Sequence, residues 1–172
     1  MIGKLKPDFD EALRFFNVLG KDPASTWLRS IKPKRGGANE RQGLAADDDF
    51  DWINIKIRDG SNLFVLIGNA TAATGKGGGV QDADIIGVPA LFVEWDDGAN
   101  IDEQSQRWQA LKLPEPTVMV STGGKSVHCY WVLEEPLEPL EWHRITRVDL
   151  VQARLADQKE HKQQNMAKRL SN

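Results

Sequence analysis

The sequence predicts an α+β fold, an antiparallel or mixed sheet with hairpins and flanking helices, and three observations predict it. Short apolar runs bounded by turn residues, at Leu63 to Ile67, Pro89 to Asp96 and Ser126 to Leu133, read as strands. Apolar residues at helical spacing occupy Asp10 to Leu19, Ile101 to Leu111 reads as a polar helix, and Leu140 to Arg169, with many Gln, Lys and Arg, reads as a helix or helix pair. The two kinds of segment alternate irregularly, which favours a sheet covered by helices on one side over a doubly wound parallel fold.

In chain order, Ala12, Leu13, Phe15, Phe16 and Leu19 give the first helix its apolar face, and Gly20 is its stop. Trp27 to Lys32 is expected to be extended and Pro33 to Gly43 to be loop. Phe50 to Ile57 reads as a strand or short helix; with the turn at Asp59 and Gly60 it is expected to form a β-hairpin with a buried strand at Leu63 to Ile67. Gly68 to Val80 resembles a phosphate loop only superficially. Lys76 is followed by Gly77, and Ala70 stands where the first glycine of that loop belongs, so the segment reads as a flexible connection. After the strand at Pro89 to Asp96 and the helix that ends before Pro114, Thr117 to Ser121 and Ser126 to Leu133 flank Thr122-Gly123-Gly124-Lys125, the length and chemistry of a hairpin loop.

The 172 residues suit one domain, 1–172, with a basic helical tail over 144–172. A chain of this size buries roughly 70% of its unfolded surface and needs no covalent staple. Its one cysteine, Cys129, excludes an internal disulfide, and no Cys/His cluster has zinc-finger spacing. The first ten residues lack an apolar h-region and no apolar run approaches the ~20 residues of a membrane span, so a cytoplasmic protein is expected. With 22 Lys and Arg against 25 Asp and Glu the net charge is -3, but the charge is segregated. Residues 1–60 carry 11 basic and 10 acidic side chains, 61–143 carry 4 and 12, and 144–172 carry 7 and 3. An acidic centre between more basic ends suits a metal site beside a polyanion track, and solvated helix faces produce the same pattern.

Two segments carry chemistry. In Leu91-Phe92-Val93-Glu94-Trp95-Asp96-Asp97, strand alternation puts Glu94 and Asp96 on one face and Leu91, Val93 and Trp95 on the other. Two carboxylates that close repel unless a proton or cation neutralises them, and hard cations such as Mg²⁺ bind through one or two carboxylates plus substrate phosphates. The competing reading is a strand end with solvated acids. In Ser121-Thr122-Gly123-Gly124-Lys125-Ser126-Val127-His128-Cys129-Tyr130-Trp131, Ser126, His128 and Tyr130 share one face and Val127, Cys129 and Trp131 the other. Backbone N–H groups at the glycines, a lysine and two hydroxyls suit a triphosphate; a surface hairpin with a structural histidine is the alternative.

Taken together, LFVEWDD and STGGKSVHCYW resemble the first and second motifs of the archaeo-eukaryotic primase superfamily, in particular plasmid and phage primase-polymerases of the replication type. FVLIGNA upstream and EEPLEPLEW downstream are similar to the flanking segments of that family, so the resemblance covers about Trp27 to Trp142. It implies a palm core resembling an RNA-recognition fold and template-directed nucleotidyl transfer, as primer synthesis or DNA polymerisation, by a two-metal mechanism with Mg²⁺ or Mn²⁺. Glu94 and Asp96 would hold metal, with His128 the third catalytic residue; His128, Ser121, Lys125 and Ser126 would contact the phosphates of a nucleoside triphosphate. In that role His128 donates to phosphate oxygen and is not the general base.

Two departures bear on activity. The family has Asp where this chain has Glu94. The third metal carboxylate is matched only by Asp157, with Asp149 as its competitor, and either is equally a helical surface acid. Trp27 with Arg29, Lys32, Lys34 and Arg35 offers a stacking surface and phosphate-binding charge for a single-stranded DNA template, or a core aromatic beside an exposed turn. Members of the family that the chain resembles usually continue into helical and helicase regions. The resemblance therefore implies either a catalytic-core fragment of a longer protein or a small standalone relative, with a replicative helicase as a candidate partner, in a bacterial plasmid or phage replication context. The alternative is a catalytically degenerate module that binds single-stranded DNA or an origin. A rolling-circle nicking enzyme is disfavoured because His128-Cys129-Tyr130 lacks the second histidine of that motif.

Overall fold

The computed structural model describes residues 8–33, 38–42, 47–75, 79–95, 100–122 and 126–146, with only the backbone given over 38–42 and 47–50. Two compact units divide the chain, Met1–Pro89 and Ala90–Asn172, and each is taken on its own.

In the first unit α1 spans Phe9–Val18. The Asp8 carboxylate accepts the Glu11 N–H at 3.0 Å, closing the helix start, and Gly20 at φ 64° ends the turn that follows. β1 (Trp27–Ile31) is central in a sheet of order β2-β1-β3, with β2 at Ala38–Gln42 and β3 at Asn62–Val65, both antiparallel to it. α2 runs from Asp47 to Arg58. Phe16 of α1, Leu28 of β1 and Ile53 of α2 form the buried centre, against which Leu13, Trp52, Leu63 and Val65 pack.

Three expectations change here. The sequence ANERQ, expected to be loop, is the strand β2; apart from Ala38 it is polar, so its place in the sheet comes from backbone pairing with β1. Asp47–Arg58 is a helix, the second of the two readings of Phe50 to Ile57, so that segment forms no hairpin with β3, whose partner is β1, more than 30 positions upstream. Leu63 to Ile67 is half-buried in place of buried, because β3 is an outer strand in this sheet and Phe64 points outward at 45% exposure.

β4 (Asn69–Ala70) pairs antiparallel with the start of β5 (Ile85–Trp95), Asn69 opposite Gly87 and Ala70 opposite Ile85. The connection between them is closed by Asp84, whose carboxylate accepts Gln81 N–H at 2.8 Å, Thr74 N–H at 2.9 Å and the Thr74 hydroxyl at 2.7 Å. Those donors hold its pKa below the usual carboxylate range. Lys21 ties the chain after α1 to this region: its Nζ donates to Ile67 O at 2.9 Å, Gly68 O at 3.3 Å and Asn69 Oδ1 at 2.8 Å. Gly68 also lies close to Ile85, where an added Cβ would meet the Ile85 side chain at 2.9 Å.

In the second unit β5 continues through Trp95. α3 spans Ile101–Ala110, β6 Val118–Ser121, β7 Val127–Leu137 and α4 Pro139–Ile145. The Asn100 side chain accepts Glu103 N–H at 2.8 Å to start α3. β7 lies between β5 and β6 in strand order, and β6 and β7 form the expected antiparallel hairpin with Ser121 opposite Val127. Val93, Trp95, Val127, Cys129 and Trp131 form the buried cluster, packed by Leu91, Ile101, Trp108, Leu111 and Leu113. Overall the chain is the expected α+β type with antiparallel sheets and flanking helices. Among the described residues, no helix is long and apolar enough to cross a membrane.

Lys21 is 7% exposed, and burial lowers its pKa from 10.5 to about 8. Between those values the unfolded chain binds more protons than the folded one, so unfolding free energy rises with pH through that window. The stability difference between the wild type and Lys21→Met, read from chemical denaturation, should therefore move in favour of the wild type from about pH 8 to 10.5. A difference that stays constant over the window would refute this.

Candidate functional site

The buried cluster of the second unit decides which side chains face out. Val93 and Trp95 of β5 are buried, so Phe92 and Glu94 take the opposite face. Val127, Cys129 and Trp131 of β7 are buried in the same cluster, so His128 and Tyr130 take theirs. Burial pushes the Cys129 thiol pKa up, which leaves it a packing residue.

Glu94 and His128 meet on that face. His128 Nε2 stands 3.4 Å from Glu94 Oε1, with side chains 22% and 46% exposed respectively. This is ion-pair reach, yet longer than a good N–H···O hydrogen bond. On its other side His128 Nδ1 is 3.2 Å from the Tyr130 hydroxyl. The ring centroids of Tyr130 and Phe92 are 5.8 Å apart and those of Phe92 and Trp142 are 6.2 Å apart, both pairs stacked. Trp142, from α4, is fixed by its Nε1–H donating to Ala90 O at 3.0 Å. The phenol of Tyr130 is pushed up to about 12, first by burial and then by the negative charge of Glu94.

At the hairpin, Ser121 is exposed at the end of β6. Thr122 closes the loop: its N–H and its hydroxyl both donate to Ser126 O at 3.1 Å, and the two hydroxyl oxygens lie 3.0 Å apart. Ser126 is 6% exposed, so its hydroxyl is engaged inside the turn. Val127 N–H, next along, donates to Gln104 Oε1 of α3 at 3.0 Å.

The structure thus brings Glu94 and His128 together and places Ser121, Thr122 and Ser126 at the same end of β7. In the first unit, Arg29 is half-buried on β1, and Lys32 forms an ion pair with Asp59. Lys34, Arg35, Asp96, Lys125, Asp149 and Asp157 lie outside the described residues. Among the described residues no three His, Cys, Asp or Glu side chains gather as a metal site. Glu94 nonetheless fits a hard cation in donor chemistry: a half-exposed carboxylate with oxygens open to water, two positions before a second acid in the sequence. Phe92, Gln104, Thr122 and Trp142 were not expected here. A signal for Gln104 exists, since an amide interrupts the apolar spacing of α3; the role of Trp142 depends on contacts across 50 residues and has no local sign.

No protein-family model matches the chain, and no curated protein matches it. Among solved structures, the AEP domain of the Cyanophage S-2L primase-polymerase (PrimPol) is similar, with 30% identity and a TM-score of 0.72. The match covers 85% of this chain and 73% of that one.

Tyr130 is the single tyrosine of the chain, so phenolate absorbance reports on this site alone. Its titration should centre at about 12 in place of the ordinary 10. Glu94→Gln should lower the midpoint by removing the nearby negative charge, while burial keeps it above the ordinary value. Equal midpoints in the two proteins would show that the Glu94 charge does not act on the ring.

Proposed function

The chain belongs to the archaeo-eukaryotic primase superfamily of primase-polymerases, and we propose that it carries out template-directed nucleotidyl transfer in replication, as primer synthesis, DNA polymerisation or both. The observation that carries this reading is the meeting of Glu94 and His128 at 3.4 Å on one face of neighbouring strands. A carboxylate and an imidazole so placed suit the two halves of a nucleoside triphosphate site.

Glu94, with Asp96 two residues on, would hold Mg²⁺ or Mn²⁺, and Asp157 is the proposed further ligand. Such a cation, when bound, supplies charge compensation for the phosphoryl group being transferred. The remaining work falls to the chain itself. In the tautomer in which Nδ1 accepts from the Tyr130 hydroxyl, the His128 proton is on Nε2, the nitrogen on the Glu94 side, from which it can be donated to a phosphate oxygen. Ser121, Lys125 and Ser126 are the proposed companions of His128 around the triphosphate. The loop that bears them leaves the sheet at Thr122 and returns at Ser126, so its ends are fixed by the hydrogen bonds between those two residues. Arg29, Lys32, Lys34 and Arg35 are the proposed contacts for single-stranded DNA, with charge that phosphates favour. The similarity to a phage primase-polymerase supports a phage replication setting; a plasmid setting, a cytoplasmic location and a replicative helicase partner are further parts of the proposal.

The experiment is template-dependent primer synthesis and extension with Mn²⁺ present. The wild type should give product; Glu94→Ala should lower the rate by roughly 10²- to 10³-fold, the scale on which loss of one charge-stabilising group acts. His128→Ala should mainly raise the nucleotide KM. A folded domain that makes no product with any nucleotide set sinks the proposal. DNA binding without metal-dependent triphosphate binding in a calorimetric titration would then assign the chain to a degenerate binding module.

A further inference from the structure

On α3, Ile101, Trp108 and Leu111 pack against the buried cluster of β5 and β7. Positions 101, 104, 108 and 111 fall on one helical face, and the second of them is Gln104, 0% exposed. An amide in an apolar stripe is costly unless its polar atoms find partners. Gln104 Oε1 finds one in the backbone N–H of Val127, at 3.0 Å. Val127 stands between Ser126 and His128, two residues proposed to meet the triphosphate. One turn nearer the end of α3, Arg107 is 9% exposed with its guanidinium carbon 5.6 Å from the centre of the Trp95 ring, and Trp95 adjoins Glu94. One helix therefore places buried polar groups on both strands that carry the site.

Apolar packing sets the spacing between a helix and a sheet but resists sliding along the strand only weakly. A hydrogen bond to one backbone N–H is directional and fixes that coordinate. The geometry points to Gln104 as a positioning residue for nucleotide binding: it pins the start of β7 so that His128 and Ser126 stand at a fixed place for the phosphates. The role rests on the nucleotidyl-transfer reading above. Gln104 touches no reacting atom in it and acts through Val127.

The test compares the full chain with Gln104→Leu, which removes the acceptor, and Gln104→Glu, which keeps an acceptor oxygen at the same reach. Phe16→Leu, in the core of the first unit, controls for lost stability. Gln104→Leu should lose hydrogen-exchange protection at the Val127 amide and raise the KM for a Mn²⁺-bound nucleoside triphosphate about 10-fold, the worth of one ordinary hydrogen bond, with kcat nearly unchanged. Gln104→Glu should restore most of the protection and of the KM, and Phe16→Leu should leave KM where it was. Should Gln104→Leu fail to fold, Gln104→Met carries the same expectation. An unchanged KM, or a Val127 amide as protected as in the wild type, overturns the role while the functional reading stands. A wild type with no Mn²⁺-dependent triphosphate binding overturns both.

Discussion

Val93, Trp95, Val127, Cys129 and Trp131 are buried together, and because side chains alternate across a strand, that burial leaves Glu94 and His128 only one face to occupy. Each of these apolar side chains contributes about 1.5–3 kcal/mol on leaving water. A one-residue slip of either strand would expose this set and drive Glu94 or His128 inward, at a cost no contact on the other face could offset. Placement of the site is thus a by-product of the core, and the separation of 3.4 Å between carboxylate and imidazole is held from behind.

The face that carries Glu94 and His128 is not simply a polar surface. Tyr130 is 6% exposed although it lies on the same side as His128; Phe92 stacks against it, and Trp142 stacks in turn on Phe92. Aromatic pairs of this geometry add about 0.5–1.5 kcal/mol each beyond area burial. Their rigidity matters more than their sum: a phenol so packed keeps its hydroxyl at 3.2 Å from His128 Nδ1, which orients the imidazole ring. α4 takes part in this through Trp142, which joins both Phe92 and Ala90 O.

Where period and burial coincide, the sequence was readable. α1 and α3 lie within a residue of their expected ends, and the inward and outward faces of β5 and β7 follow from alternation alone. The first unit was harder for a physical reason. β2 has no apolar alternation, since its strand character comes from backbone pairing with β1, and α2 begins with three aspartates that mask the apolar face behind them. β3 has the composition of a buried strand but an outer position, and only tertiary pairing decides that. At the candidate site, alternation gives the faces of Glu94 and His128, and the roles proposed for them come from the resemblance of the two motifs. The contacts around them were less legible: alternation puts Tyr130 on the His128 face, while the bonds of Thr122 to Ser126 and of Val127 to Gln104 show only in the structure.

Ser126 illustrates how the geometry redistributes roles within a motif. Its hydroxyl is 3.0 Å from that of Thr122 and its carbonyl accepts twice from the same residue, so three contacts between positions 122 and 126 close the hairpin. For Ser126 to bond a phosphate it must give up or share the Thr122 contact, an exchange with little net gain because one hydrogen bond replaces another. Ser121 differs in burial, standing exposed at the end of β6. The proposed triphosphate contacts therefore divide by physical circumstance: Ser121 and His128 are presented outward, while Ser126 with Thr122 shapes the turn on which they depend. Gln104 extends the same logic one residue further along the chain, where an acceptor buried in α3 fixes the backbone between Ser126 and His128.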